Sequence, residues 1–517
     1  MREEKSQLKI GIVLNYVNMI LGNLIPIFYM PIMLSLLGQS EYGLYKLAGS
    51  VTSYLSLISM GLGAAITRYL IKAREEEGQE AEERMLGMFM AIFHVVAVAT
   101  LVIGTLLTMN LQLWYADSLS STELTRMKIL VFLMVCNMAL SFAQSPYQSL
   151  VTSHEKHLFY QCMNIILTSI APIMNLVALY MGAASVGMAV VSVAITFSVH
   201  ICYHVYIYGA MKIKPCFKGM PVQNMKEILA FSFWIFVGNI VGQLYNATDT
   251  IMIGALPSLG TTAVAIYNVG NTFNSITLNL TTGISNLLTP RTNKMVFQGA
   301  SASALTELAI RVGRIQGYIM CLIVSGFIAF GRPFIQFYAG ENYEDAYWVA
   351  ILVMIPNMVP LLQSVCLSII TAQNKHKFRS FVYLAIAVAN VIGTWFLMQQ
   401  FGIIGAAFMT GLALLVGNGF VMNWYYSRRI GLQIKKFWQS ISKLLIIPTV
   451  LCTVTLVLSK VISLYNISNL IIGICIYTAV YCALSYIFVM NEYEKKILHM
   501  PINKLLYILR GRNIWPK

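Results

Sequence analysis

Charge is what this sequence has least of. Only 11% of its 517 residues are Asp, Glu, Lys or Arg, and 58% are hydrophobic; soluble domains carry about 25% charged residues. With a mean hydropathy of +0.70, the composition excludes a soluble enzyme on a single anchor. No stretch is long and polar enough to fold as a separate soluble domain. Paired cysteines are missing too. The nine cysteines are scattered, mostly in apolar runs, with no C-x-x-C. They read as small buried apolar residues, not as disulfides or metal ligands. There is no Walker motif, no nucleophile elbow and no acidic pair beside a base, so no known catalytic pattern is on offer.

What is present is apolar sequence in span-sized lengths. A span needs roughly 20 apolar residues. Fourteen candidates fall at about 10–36, 42–70, 85–110, 126–151, 159–182, 185–209, 228–256, 261–290, 307–331, 346–372, 380–400, 403–425, 443–463 and 469–490. The opening MREEKSQLK leads into an apolar segment longer than a signal-peptide core, so it is read as a retained first span. Cytoplasmic loops hold Lys and Arg in excess. With the N-terminus inside, only Lys46, Arg126, Lys128, Arg332 and Lys460 of the 35 fall outside. That bias implies cytoplasmic N- and C-termini. It also accounts for the net charge of +15 without a nucleic-acid partner. The tail NEYEKKILHMPINKLLYILRGRNIWPK mixes Lys and Arg with Ile, Leu and Trp. Either it lies along the anionic inner leaflet or it is solvated.

The sequence carries an internal repeat. GQSEYGLYKLA (38–48) corresponds to GTTAVAIYNVG (260–270), so that Tyr45 matches Tyr267. SLVTSHEKHLF (149–159) corresponds to SIITAQNKHKF (368–378). The two offsets, 222 and 219 residues, nearly agree. Six spans per repeat is even, so both repeats have the same membrane orientation. The expected fold is therefore an all-α polytopic membrane protein with fourteen transmembrane helices. Two six-helix lobes would enclose a central cavity, and two C-terminal helices would be extra. In residues this is an N-lobe over 1–209, a cytoplasmic linker over 210–226 and a C-lobe over 227–425. Spans thirteen and fourteen with a preceding basic loop cover 426–490, and a basic cytoplasmic tail covers 491–517. Same-orientation repeats place a binding site between lobes and work by rocking.

Polar residues concentrate in spans one, two, seven and eight. Span seven has Asn239, Gln243, Asn246 and Asp249; span eight has Asn268, Asn271, Ser275, Asn279, Thr282 and Asn286. Steps of three and four put each set on one helical face. Such a stripe cannot face lipid, where unsatisfied polar groups cost several kcal/mol. It lines a hydrated cavity or hydrogen-bonds neighbouring helices as glue. Cations accompany it: Lys46 about one turn below the outer surface, Arg68 near the inner end of span two, and Arg291 after Pro290. Arg grips phosphate oxygens bidentately; the alternative is snorkelling to headgroups. Asp249 has three readings: a partner for Arg68 or Arg291, a coupling site for H+ or Na+, or a solvated group near the outer mouth. The candidate substrate-binding set is Lys46, Arg68, Asn246, Asp249, Asn271, Asn279 and Arg291. No catalytic residue, metal ligand or cofactor is expected. His200 and His204 have metal-ligand spacing but no evident third ligand, and Tyr203, Tyr206 and Tyr208 beside them suggest an interfacial belt.

At these residues the sequence resembles a known family. GQSEYGLYKLAGSVTSYLSLISMGLGAAITRYL (38–70), NKHKF (374–378) and FGIIGAAFMT (401–410) are similar to Wzx-type polysaccharide flippases. Those belong to the multidrug/oligosaccharidyl-lipid/polysaccharide exporter superfamily. The resemblance implies a substrate, an oligosaccharide on polyprenyl pyrophosphate, moved from the inner to the outer leaflet of a bacterial cell membrane by alternating access. It implies membrane lipids and other polysaccharide-assembly proteins as partners. Arg68 matches an arginine common at the end of the second span in such sequences, and Asp249 an acidic residue often seen in the seventh. The rival readings are a drug or cation exporter of the same superfamily, a membrane enzyme of polysaccharide assembly, and a scaffold without transport. The first would favour acidic cavity residues and the second a large loop or an acid–base cluster. Neither is evident.

Overall fold

A computed structural model describes residues 2–373 and 375–496. Among them every regular element is helical, as expected for a chain that must close its backbone hydrogen bonds without water. The first helices are α1 (Arg2–Leu37), α2 (Gln39–Ser53), α3 (Gly63–Glu77), α4 (Gln79–Asn110), α5 (Ser121–Ser153), α6 (His157–Tyr180) and α7 (Ala184–Val205). After the linker come α8 (Met225–Asn246), α9 (Thr248–Ala255), α10 (Gly260–Phe297), α11 (Ala302–Ala339), α12 (Ala346–Leu362), α13 (Ser364–Ala372) and α14 (His376–Leu414). The chain ends on α15 (Ile434–Ser442), α16 (Ile446–Leu458) and α17 (Ile467–Leu484). The tail from 497 onward, Asn374 of the NKHKF loop and the side chain of Asn286 lie outside the described residues.

Twelve helical stretches among the described residues are long and apolar enough to cross a membrane. The protein is a multi-pass membrane protein, although the expected count of fourteen is not what length and composition return. Two physical features account for the difference. The stretch 378–430 counts as one, yet its backbone breaks at Gly402, where φ is +58°; a left-handed residue of this kind favours glycine. Helix α10 is long enough, but its Asn268, Asn271, Asn274 and Asn279 make it too polar to count by composition.

By its contacts the chain divides into two compact units, one of residues 1–269 with 383–409 and one of residues 270–382 with 410–517. In the first, Ile66, Tyr69 and Leu70 of α3 pack on Leu86, Phe89 and Phe93 of α4. Tyr147 and Leu150 of α5 and Tyr203 of α7 complete that core. A capping box starts α5: Ser120 Oγ accepts from the Glu123 N–H, and the Glu123 carboxylate accepts from the Ser120 N–H at 3.0 Å. Satisfying orphan N–H groups this way is typical of helix starts.

In the second unit, α16 and α17 pack on α11 through Cys452, Leu470, Tyr477, Ala329 and Phe330. Tyr477 donates to Ser325 at 2.7 Å, and Tyr481 donates to the Tyr318 carbonyl at 2.9 Å. The basic stretch before them contains an amphipathic helix that sequence reading left as loop. In α15, Ile434, Phe437 and Ile441 are buried while Lys435 and Lys436 are exposed. The cysteines divide: Cys321, Cys366 and Cys452 are buried as expected, but Cys202, Cys475 and Cys482 lie on the exposed sides of apolar helices.

One ion pair ties the end of this unit to its core. Arg314 of α11 donates from Nε and Nη2 to both oxygens of Glu494, at 2.5 and 2.9 Å, and both side chains are under 10% exposed. The guanidinium also donates to the Ser440 and Val489 carbonyls, and Tyr318 donates to Glu494 at 2.9 Å. Burial pushes the Glu494 carboxyl up. The bonds from Arg314, the Asn491 N–H and Tyr318 outweigh it and hold the carboxyl below its ordinary value. Arg314→Met strands a buried carboxylate and is expected to lower stability by about 3–5 kcal/mol, read as a drop in melting temperature. The depressed folded-state value means the pair contributes fully above the unfolded carboxyl value of 4.5 and fades as pH falls through the folded one. The gap between wild type and variant should therefore close on acidification.

Candidate functional site

The first unit contains a polar hollow of about 700 Å³. Helix α2 supplies Tyr45, Lys46, Ser50 and Ser53; α5 supplies Asn137 and Ser141; α7 supplies Ser192. Gln243 and Asn246 come from α8, and Asn268 from α10. Of the expected set, the structure brings Lys46 and Asn246 together here. No Asp or Glu is among the lining residues.

Most polar groups around the hollow are already engaged. Ser53 donates to the Gln243 side-chain oxygen at 3.0 Å, and the Gln243 amide donates to Ser56 at 3.1 Å. Gln243 is therefore helix-to-helix glue. Asn246 donates to the Gly242 carbonyl at 2.9 Å and is otherwise exposed. Asn268 donates to Val264 of its own helix at 2.9 Å and to Thr250 at 3.3 Å. Two groups differ. Lys46 Nζ is 5.5 Å from the Tyr42 ring centroid and has no carboxylate or hydrogen-bond acceptor among the described residues. The Asn137 side-chain oxygen is buried with no donor among them. A cation over a ring gains about 0.5–2 kcal/mol, which leaves its charge unbalanced. A polar hollow with an unpaired cation and a buried amide oxygen in its wall can take an anion that also carries hydroxyls.

Asp249 is not in the wall of the hollow. It is 1% exposed, two residues past the lining Ala247, and accepts a hydrogen bond from Tyr267 at 2.5 Å. That burial is at odds with a solvated group at the outer mouth. The sequence repeat aligns Tyr45 with Tyr267, yet the two do different work. Tyr45 lines the hollow, while Tyr267 binds the buried carboxylate. Arg68 is exposed at the other end of the unit, with its guanidinium 4.7 Å from the Phe231 ring and 5.9 Å from Tyr69. It makes no ion pair among the described residues, so it does not partner Asp249 here.

Asn271, Asn279 and Arg291 belong to the second unit. Asn279 and Arg291 are exposed; Asn271 is half-buried and accepts from Asn274 at 3.3 Å. The glue on α10 lies on the other face. Asn274 accepts from Asn357 at 2.9 Å, Ser285 meets Ser364 at 2.8 Å, and Gln316 donates to Thr281 at 3.2 Å. The stripe of Asn271, Ser275 and Asn279 is thus distinct from the packed face. His204 of the H-x-x-x-H pair shares a hydrogen bond with the Tyr147 hydroxyl at 2.9 Å. Sequence reading missed Asn137, Ser141 and Ser192, although Asn137, Ser141, Gln144 or Ser145, and Gln148 recur at steps of three and four and were the signal that could have found the first two.

One end of the hollow's unit is tightly closed. Ser40 and Thr261 both donate to Glu123, at 2.7 and 3.0 Å, and their hydroxyls are 2.9 Å apart. Arg126 donates to Glu41 at 2.8 Å, and Ser185 donates to its other oxygen. At Gly43 an added Cβ would sit 1.8 Å from the Thr261 carbonyl oxygen, so only glycine lets these backbones meet. The glycine of YGLY therefore has its reason in helix contact.

Fold and site together define a class: an all-helical, multi-pass membrane protein with a polar intramembrane hollow. Solved structures of the same architecture include "Lipid II flippase MurJ, inward closed conformation", at TM-score 0.68 and 15% identity over 92% of this chain and 98% of that one. A multidrug resistance MATE family transporter of the MOP superfamily, inward-facing, gives 0.63 at 10% identity over 84% and 98%. The Vibrio cholerae MATE transporter VcmN in its bent form gives 0.51 at 14% identity over 87% and 99%. A Shigella flexneri protein named "Putative O-antigen transporter" is 20% identical over 411 residues, 76% of this chain and 91% of its own length. The chain belongs to the polysaccharide biosynthesis protein family, whose model matches residues 8–296.

Two outcomes are expected. Tyr267→Phe removes a donor from buried Asp249 and should cost about 1–3 kcal/mol in thermal unfolding of the purified protein. Gly43→Val forces α2 away from α10 and should cost at least as much, about 1–3 kcal/mol for overpacking, while Gly49→Ala, with open space around it, should be neutral.

Proposed function

We propose that this protein flips a polyprenyl-pyrophosphate-linked oligosaccharide from the inner to the outer leaflet of a bacterial cell membrane, for export of a surface polysaccharide. The observation that carries this reading is the Lys46 ammonium, without a counter-ion among the described residues, in a hollow lined by amides and hydroxyls. A pyrophosphate-sugar head supplies both the missing negative charge and the hydroxyls such walls bond. The family and the named relatives support it.

The physical task fits. A sugar hydroxyl buried without a partner costs roughly 2–7 kcal/mol, so unaided crossing is negligible. A wet hollow removes that barrier. The head enters from the cytoplasm, where both chain termini lie, and Arg68 receives it. Asn271, Asn279 and Arg291 line the remainder of its path, between lobes of residues 1–209 and 227–425 that rock about the site. An inside-negative potential drives the anion outward; two charges across 100 mV are worth about 4.6 kcal/mol. Proton or sodium coupling at Asp249 is the added route to directionality. The Glu123 carboxylate at the closed end, with its donors Ser40 and Thr261, forms the outer latch. The rival, export of cationic drugs, calls for a carboxylate in the hollow, and the lining holds none.

Lys46→Gln is expected to cut flipping of a lipid-linked oligosaccharide in proteoliposomes at least about tenfold, the scale of one lost charge-assisted contact, with folding intact and Lys46→Arg largely active. Arg68→Ala should abolish surface polysaccharide in a complementation assay. Normal export by both variants would refute the reading.

A further inference from the structure

Five basic residues fall on the side that the charge bias assigns to the outside, and the structure accounts for three of them. Arg126 pairs with Glu41, Lys128 donates to Gln112 at 3.0 Å, and Lys46 lines the hollow of the first unit. The other two, Arg332 and Lys460, converge on a separate cavity of about 540 Å³ in the second unit, between the end of α11 and the turn joining α16 to α17. No Asp or Glu is among its lining residues, and neither cation has an ion-pair partner among the described residues.

The cavity is built for more than two solvated charges. The Arg332 guanidinium is fixed over two rings, 5.2 Å from Tyr347 and 5.3 Å from Trp348. Tyr347 is itself held by its hydroxyl, which donates to the Ile328 carbonyl at 2.9 Å. A guanidinium held by its face keeps its N–H edge free for a planar or tetrahedral oxyanion. Across the cavity, the Ser463 and Tyr465 hydroxyls line the wall and have no hydrogen-bond partner among the described residues. Two like charges brought to one hollow repel unless an anion lies between them. Exposed Trp and Tyr rings mark a membrane–water interface.

We propose that this cavity binds a phosphate anion at the outer interface, held by Arg332 and Lys460 with donors from Ser463 and Tyr465. The phosphate is that of an anionic phospholipid head or a free phosphate or pyrophosphate; both present the same oxygens. The site gives the last two helices a ligand of their own. It is independent of the transport reading, because its test is binding alone.

The test is hydrogen–deuterium exchange of the full protein in nanodiscs, read on a peptide covering residues 456–466. Three conditions are compared: phosphatidylcholine alone, phosphatidylcholine with phosphatidylglycerol, and phosphatidylcholine with added inorganic pyrophosphate. Exchange of the peptide should slow about fivefold or more when the anion is present, the scale expected for two basic residues on one anion. Slowing with phosphatidylglycerol only identifies a lipid head; slowing with pyrophosphate identifies a soluble anion. The Arg332→Gln, Lys460→Gln double variant, and Lys460→Gln alone to a lesser degree, should lose the effect. The inner-side Arg428→Gln, Arg429→Gln pair should keep it. No slowing under either anion, or equal slowing in the double variant, overturns the proposal.

Discussion

Hydrocarbon offers a polar group nothing to bond to, so a chain that lives there must pair its polar atoms within itself. The all-helical backbone is the first consequence. Many side chains obey the same constraint. Gln243 is clamped between Ser53 and Ser56, Asp249 takes the Tyr267 hydroxyl, and Ser285, Gln316 and Ser364 close a small network on α10 and its neighbours. Arg314 and Glu494 carry the rule to full charges, at the cost of desolvating both. Against this background an unmatched group stands out, because leaving it so has a price that packing could have removed.

Some of the unmatched groups line hollows. Lys46 and the Asn137 oxygen face the polar hollow of the first unit; Arg332 and Lys460 face the cavity at one end of the second. Each hollow has cations and hydroxyls or amides in its wall and no carboxylate. The phosphate-bearing ligands proposed above are chosen to match these walls. The closed end of the first unit fits the same view. Glu123, Ser40, Thr261 and the Gly43 contact join hydrogen bonds and a close helix approach to the buried apolar side chains of Tyr42, Leu44 and Leu47.

Much of this was legible in the sequence. Low charge, long apolar runs and the Lys/Arg bias led directly to a polytopic helical protein, and the YGLYK stretch led to the family. Spacing put Asn246 on a polar stripe and Lys46 was singled out as a nearby cation; the structure puts both on one hollow. Asn268 and Asn271 lie on one stripe, but the glue on that helix is Asn274, Thr281 and Ser285, which the stripe reading passed over. A three-or-four periodicity identifies a face and does not say what the face meets. Span counting suffered similarly: Gly402 divides one long apolar run, and the amides of α10 lower the hydropathy of another.

What the sequence determined by itself was the solvent and the scaffold. Hydrophobicity and positive charge are summed along the chain, so they survive without coordinates. The tertiary structure alone decided which polar residues find partners. Pairing depends on residues far apart in sequence arriving within about 3 Å of each other: Tyr267 reaches Asp249, Thr261 reaches Glu123, and nothing described reaches Lys46. The groups left over are known only after all the pairings have been made.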